Sequence, residues 1–217
     1  MSTDKIKAVI FDLDGTLLDT EKLLVKYWCR AANQLGFPMT REHALTLRSL
    51  THRLVPPLFR EWFGENCDYR EVRALRMKLM QEHIDRYGLD VKPGAAELLS
   101  YLGENGYLRA VATATDVERA GRLLRTAGLY DSFDRIISAS MVEWGKPKPD
   151  IYIYAAKQLG LEPCECIAVE DSPNGIISAS EAGCLTVMVP DLTPPDKELE
   201  PRLYACCESL LSIEKLL

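Results

Sequence analysis

Two carboxylates, Asp12 and Asp14, stand two positions apart at the end of the apolar run IKAVIF (6–11), and Gly15 and Thr16 follow at once. Farther along, Thr113 closes an apolar run in VATATD, Lys146 stands in the proline-rich frame GKPKPD, and Glu170 and Asp171 end another apolar run in VEDSPNG. In a doubly wound parallel sheet the carboxyl ends of the strands open on one ligand crevice, so these groups are expected to converge. Four carboxylates in one place disfavour one another's ionisation, and the cluster is costly unless a cation joins it. Lys146 alone does not balance four charges. An oxygen-rich set of this kind suits Mg²⁺, which takes one or two carboxylates, keeps waters and accepts phosphate oxygens. The ammonium of Lys146 and the hydroxyl of Thr113 then read as phosphate ligands. The chemistry implied is phosphoryl transfer. One carboxylate attacks phosphorus and a second, two residues on, moves protons, while cations neutralise the transferring group. Gly15 lets the chain turn sharply enough for backbone N–H groups to approach a phosphate.

The elements that must position these groups are visible in the apolar patterning. Short buried strands are expected at 6–11, 108–112, 135–138, 166–169 and 184–189. Helices are expected at 94–105, 116–127, 150–159 and 173–182, with Gly106, Gly128, Gly160 and Gly183 just beyond them as left-handed caps. This alternation predicts βαβ units: an α/β, Rossmann-like doubly wound parallel sheet. Residues 20–90 break the pattern, since no strand is convincing there and the stretches 20–37 and 69–88 are strongly helical. The expected organisation is an α/β core domain of residues 1–19 and 91–217 with an inserted helical domain of residues 20–90. Pro56-Pro57 is expected to break or start a helix within it. Trp28, Trp62 and Phe63 read as its core, and Arg48, His52, Arg53 and Arg60 either as a solvated basic face or, on a cap that faces the site, as contacts for an anionic substrate group. Asp116 reads as a helix N-cap. The last residues, YACCESLLSIEKLL, are expected to hold an edge strand and a closing helix.

Bulk properties narrow the classes. The chain of 217 residues is long enough for one sizeable core, and 47% of its residues are hydrophobic. Its 32 acidic residues outnumber its 26 Lys and Arg, giving a net charge of −6 that does not suit nucleic acid or an anionic membrane. No long apolar run precedes Asp12, so no signal peptide is expected, and none approaches the length of a membrane span. The seven cysteines are odd in number and lack a Cys-x-x-Cys pair, which points to reduced thiols and a cytoplasmic setting rather than disulfides. Cys164 and Cys166 have no second pair at zinc spacing. A monomer is the default expectation.

Taken in order, these motifs resemble those of the haloacid dehalogenase superfamily, in the branch of phosphoglycolate phosphatase and β-phosphoglucomutase. Asp12-Leu13-Asp14-Gly15-Thr16 is similar to the first motif, Thr113 to the second, Lys146 through Asp150 to the third, and Glu170-Asp171-Ser172 to the fourth. The helical block resembles the cap of that branch, and the resemblance runs along essentially the whole chain. It implies that Asp12 is the nucleophile and a Mg²⁺ ligand, and that Asp14 is the acid/base, with its carbonyl on the metal. It implies that Thr113, the Ala114 N–H and Lys146 hold the phosphate of a small phosphorylated metabolite. Asp171 would bind metal, with Glu170 joining directly or through water. The β-phosphoglucomutases carry a histidine where this chain has Leu24, so a phosphatase is expected ahead of a phosphomutase. Asp14 argues against a dehalogenase, which has no leaving alcohol to protonate. With every catalytic position filled, a purely binding role on the same scaffold is not expected.

Overall fold

The computed structural model describes residues 6–217; the expectations that reach into residues 1–5 lie outside it. Six parallel strands form one sheet: β1 (Ala8–Phe11), β2 (Leu108–Thr113), β3 (Arg135–Ser138), β4 (Cys166–Glu170), β5 (Leu185–Met188) and β6 (Ala205–Cys206). Their spatial order is β3-β2-β1-β4-β5-β6, the doubly wound arrangement. All four residues of β1 are buried, as an inner parallel strand covered on both faces requires. The helices α5 (Ala95–Glu104), α6 (Val117–Thr126), α7 (Asp150–Gln158) and α8 (Pro173–Ala182) provide the cover. One face of β1 buries Val9 and Phe11 in a cluster with Leu98, Leu102 and Leu124, and the other buries Ala8 and Ile10 against Ile151, Tyr152 and Ala155.

The expected strands and helices match these elements to within two residues at each end. Gly106, Gly128, Gly160 and Gly183 all have positive φ, as expected past a helix. The closing helix is a 3₁₀ turn over Leu210–Leu216, and it packs Leu210 and Ile213 against the sheet-side core.

Between β1 and β2 the described chain is helical: α1 (Glu21–Gln34), α2 (Arg41–Thr46), α3 (Val55–Phe63) and α4 (Tyr69–Tyr87). The starts of α2, α3 and α4 have local causes. Thr40 and Asp68 cap α2 and α4 with side-chain oxygens on backbone N–H groups. Pro56 and Pro57 sit in the first turn of α3, where their missing N–H groups cost nothing. This helical cap has its own core of Trp28, Ala31, Phe59, Tyr69 and Val72, with Trp62 and Phe63 packed against it. The chain leaves and re-enters the sheet at one place. Leu18 bridges Val91 antiparallel, Asp19 N–H donates to Asp90 O at 2.9 Å, and Lys92 N–H donates to Leu17 O at 2.9 Å.

Phe59 is fully buried, with ring centroids 5.6 Å from Trp28 and 5.2 Å from Tyr69. Phe59→Ala is expected to cost about 3–5 kcal/mol, the range for deleting a buried aromatic ring. Urea unfolding followed by tryptophan fluorescence measures this; a loss under about 1 kcal/mol would contradict a packed cap core.

Candidate active site

β1 lies beside β4 at the point where strand order reverses, and the two strands run in register from Ala8 with Cys166 to Phe11 with Val169. Asp12 N–H continues the ladder onto Val169 O at 2.9 Å, which brings Asp12 level with Glu170 and Asp171. One oxygen from each of Asp12, Glu170 and Asp171 lies within 4.8 Å of the others, and all three residues are buried. On the other flank of β1, the end of β2 supplies Thr113. Lys146 comes from the loop before α7 and is fully buried; its Nζ is 2.6 Å from Asp12 Oδ1, 2.6 Å from Glu170 Oε1 and 2.8 Å from Ala112 O. The expected residues are thus brought to one place.

Asp14 stands slightly apart. Its carboxylate accepts from the hydroxyls of Thr20 at 2.6 Å and Thr115 at 2.8 Å, so both oxygens are oriented. Gly15 turns the chain here with φ +88°, and an added Cβ would lie 2.4 Å from Asp171 Oδ2, a position only glycine can hold. Gly175 is in the same situation, since a Cβ there would fall 2.0 Å from Glu170 Cδ. Thr113 Oγ1 accepts from Thr115 N–H at 3.0 Å, which leaves its own hydroxyl hydrogen to donate elsewhere.

Four further residues contribute to the site. Arg48, from the turn after α2, is buried rather than part of a solvated face. It ion-pairs with Asp171, donates to Asp171 O at 3.0 Å, and brings Nε to 3.6 Å from Glu21 Oε2. Glu21 opens α1 and is itself buried. The Tyr152 hydroxyl donates to Glu170 Oε1 at 2.5 Å. Thr115 orients Asp14. Of these, Thr115 had a sequence signal in its place two residues past the end of a site strand, and Arg48 in its basic stretch of the cap; Glu21 and Tyr152 had none. Trp28 belongs to the cap core as expected but also lines the crevice, together with Leu24, His52 and Arg76.

The electrostatics follow from the crowding. Burial pushes the Asp12 carboxyl well above the usual range; Lys146 pulls it down, and Glu170, Asp171 and Asp14 push it up further. Burial likewise raises Asp171 to about 7, against the opposing pull of Arg48. Glu21 is raised well above its ordinary value by burial and then by Asp171. Burial disfavours the charged form of Lys146, but Asp12 and Glu170 outweigh it and hold the ammonium above its ordinary value. Asp12 Oδ2, Glu170 Oε2 and Asp171 Oδ1 are buried without a hydrogen-bond partner. Three orphaned carboxylate oxygens among neighbouring acids are a poor arrangement for a protein alone and a good one around a hard divalent cation, so the donor set fits Mg²⁺.

The family model for haloacid dehalogenase-like hydrolases matches residues 6–183. The chain belongs to this family. Hexitol phosphatase B of Escherichia coli K12 is 30% identical over 223 residues, covering 100% of this chain and 97% of that protein. The β-phosphoglucomutase of Bacillus subtilis is 30% identical over 192 residues, covering 85% of this chain and 83% of that enzyme. Among solved structures, CbbY from Rhodobacter sphaeroides in complex with phosphate superposes with a TM-score of 0.81 at 25% identity, covering 96% of both chains. Family and relatives make this haloacid dehalogenase-like hydrolase an enzyme of the phosphatase type. No helix among its described residues is long and apolar enough to cross a membrane.

If the three orphaned oxygens face a cation, saturating Mg²⁺ will stabilise the fold. At a hundred times the Kd the gain is about 2.7 kcal/mol, or roughly 5–10 °C in Tm for a chain of this size. Differential scanning fluorimetry with Mg²⁺ against chelator measures the shift. It is expected to vanish in Glu170→Gln/Asp171→Asn; an equal shift in that variant would place the ion elsewhere.

Proposed function

We propose that this enzyme is a Mg²⁺-dependent phosphatase that hydrolyses a small phosphomonoester, a sugar phosphate or similar metabolite, through an aspartyl-phosphate on Asp12. One observation carries the reading. Lys146 holds Asp12 by Oδ1, while Oδ2 is buried at the floor of the crevice with no partner. A carboxylate fixed by one oxygen and free at the other is arranged to attack.

In the first step Asp12 bonds to phosphorus and the ester oxygen leaves, taking a proton from Asp14. In the second step Asp14 accepts a proton from water, the water oxygen bonds to phosphorus, and inorganic phosphate leaves Asp12 free. Thr20 and Thr115 hold both oxygens of Asp14 for these transfers. The Thr113 hydroxyl, the Ala114 N–H and Lys146 bind the phosphoryl oxygens. Asp12, the Asp14 carbonyl, Asp171 and Glu170 would hold Mg²⁺, which when bound neutralises charge on the phosphoryl group. Residues 20–90 act as a cap over a core of residues 1–19 and 91–217, closing the crevice against bulk water during transfer.

The relatives' names, hexitol phosphatase and β-phosphoglucomutase, support a sugar-like phosphate as substrate but divide over the acceptor of the phosphoryl group. Leu24 lines the crevice of this chain. Its apolar side chain offers no polar contact for coupling a sugar hydroxyl to proton transfer, which favours water as acceptor.

Asp12→Asn is expected to keep the fold and lose nearly all phosphate release, and Asp14→Asn to slow it by about 10²–10⁴. Excess chelator should abolish turnover and Mg²⁺ restore it. Wild-type rates in Asp12→Asn would sink the mechanism. Supplied with β-glucose 1-phosphate and a bisphosphate primer, the enzyme is expected to form no appreciable glucose 6-phosphate; sustained formation faster than phosphate release would make it a mutase.

A further inference from the structure

Arg48 has a place in the site that the chemistry above does not use. It comes from the helical cap, at the turn after α2, and its side chain is 1% exposed. Its guanidinium pairs with Asp171 Oδ2, donates to Asp171 O at 3.0 Å and to Thr193 Oγ1 at 2.8 Å, and brings Nε to 3.6 Å from Glu21 Oε2. Lys146, the other cation paired with these acids, comes from the core and is held by Asp12, Glu170 and the carbonyl of Ala112. Arg48 is therefore the counter-charge that the cap brings to the site and can take away.

The chain around Arg48 is seated on the two loops that carry Lys146 and Asp171. The Asn174 amide donates to Arg48 O at 2.9 Å, Thr51 N–H donates to Lys146 O at 3.1 Å, and the Arg53 guanidinium donates to Glu143 O at 2.5 Å. Gly145 lets Thr51 come this near, since a Cβ there would lie 2.9 Å from Thr51 Cβ. Beside Arg48, Ser49 has φ +53°, the one positive φ outside glycine among the described residues. A serine is strained in that region, so the contacts on either side must hold the turn in place. The other oxygen of the carboxylate that Arg48 grips, Asp171 Oδ1, is buried without a partner, and Asp171 belongs to the acidic set that fits a divalent cation. Arg48 and such a cation share one carboxylate, and two cations on one buried carboxylate repel each other.

We propose that Arg48 is a positioning residue that latches the cap onto Asp171, and that the seated latch and a divalent cation at the same carboxylate antagonise each other. This rests on the reading of Asp12, Glu170 and Asp171 as a divalent-cation site and does not depend on which phosphomonoester is hydrolysed. With the latch seated, Arg48 already supplies part of the positive charge that the acids need, so the site gains less from the ion. With the ion bound, Asp171 attracts the guanidinium less, and residues 48–53 leave their seat more often. Linkage makes the two effects one: the factor by which seating weakens the ion is the factor by which the ion weakens seating. The latch keeps an unloaded crevice covered and lets metal loading open it to substrate.

Titration calorimetry with Mg²⁺ at fixed ionic strength measures the first effect. Arg48→Met, which keeps the length and removes the charge, is expected to tighten the Mg²⁺ Kd by about tenfold, and Arg48→Lys, which keeps the charge, to stay within about threefold of wild type. Hydrogen exchange measures the second effect and needs no variant, because the Thr51 amide reports the seated segment through its bond to Lys146 O. In the wild type, Mg²⁺ is expected to speed exchange at Thr51 by about threefold or more, while the amides of β1 and β4 hold steady or slow. In Arg48→Met, Thr51 is expected to exchange fast with or without Mg²⁺. A merely structural role for Arg48 would free Thr51 in that variant without tightening the ion. Mg²⁺ binding with an unchanged or weaker Kd in Arg48→Met would therefore overturn the antagonism and leave the divalent site standing. No Mg²⁺ binding to the wild type would remove the site and the latch together. If Arg48→Met does not fold, exchange at Thr51 in the wild type decides, and an unchanged or slower rate with Mg²⁺ overturns the latch.

Discussion

The site is organised around one electrostatic constraint: too many carboxylates crowd the ends of two neighbouring strands. Asp12, Asp14, Glu170, Asp171 and Glu21 are buried together, and Lys146 and Arg48 are the cations that ion-pair with members of the cluster. Surrounding features exist to make that cluster tolerable. Lys146 is threaded through the core so that its ammonium bridges Asp12 and Glu170. Tyr152 takes a second contact on Glu170 from inside the apolar face of α7. Gly15 and Gly175 keep Cβ atoms out of the space the carboxylates need. The deficit of positive charge that remains is what gives a divalent cation, and then a phosphate, a reason to bind.

The same deficit ties the cap to the core. Arg48 reaches from the turn after α2 to Asp171, and the carbonyl of Arg48 accepts from Asn174 at 2.9 Å. Its guanidinium also donates to Thr193 at 2.8 Å. The helical cap therefore contributes directly to the field around the buried carboxylates. A cap anchored on a core carboxylate is coupled to whatever else that carboxylate binds.

Much of this could be read before the fold was known. The strands and helices of the sheet region were legible because inner parallel strands are short, apolar and bounded by glycine. Asp12, Asp14, Thr113, Glu170 and Asp171 were legible because each stands at or just past the end of such a strand, and Lys146 because of its proline-rich frame. Arg48 was legible only as one of several basic cap residues that could face the site, and its pairing with Asp171, 123 residues away, was not. Glu21 reads as an ordinary acid in the first turn of a helix. Tyr152 reads as one more apolar member of α7. These groups come from helices and loops whose approach to the crevice is set by tertiary packing, which local patterning does not encode.

The pairing at the point where the cap is inserted has a consequence for biosynthesis. Leu18 meets Val91, and β1 finds its first neighbour only at β2, about 100 residues on, and its second at β4. The strand carrying Asp12 therefore has nothing to pair with until the whole cap has been translated. Glu170 and Asp171 arrive later still. The cap, with its own aromatic core, can collapse on the ribosome before β2 and β4 emerge, while the centre of the sheet closes only after them. A chain interrupted before β4 therefore carries Asp12 without Glu170 and Asp171, and the buried cluster assembles only when the last of its members has been made.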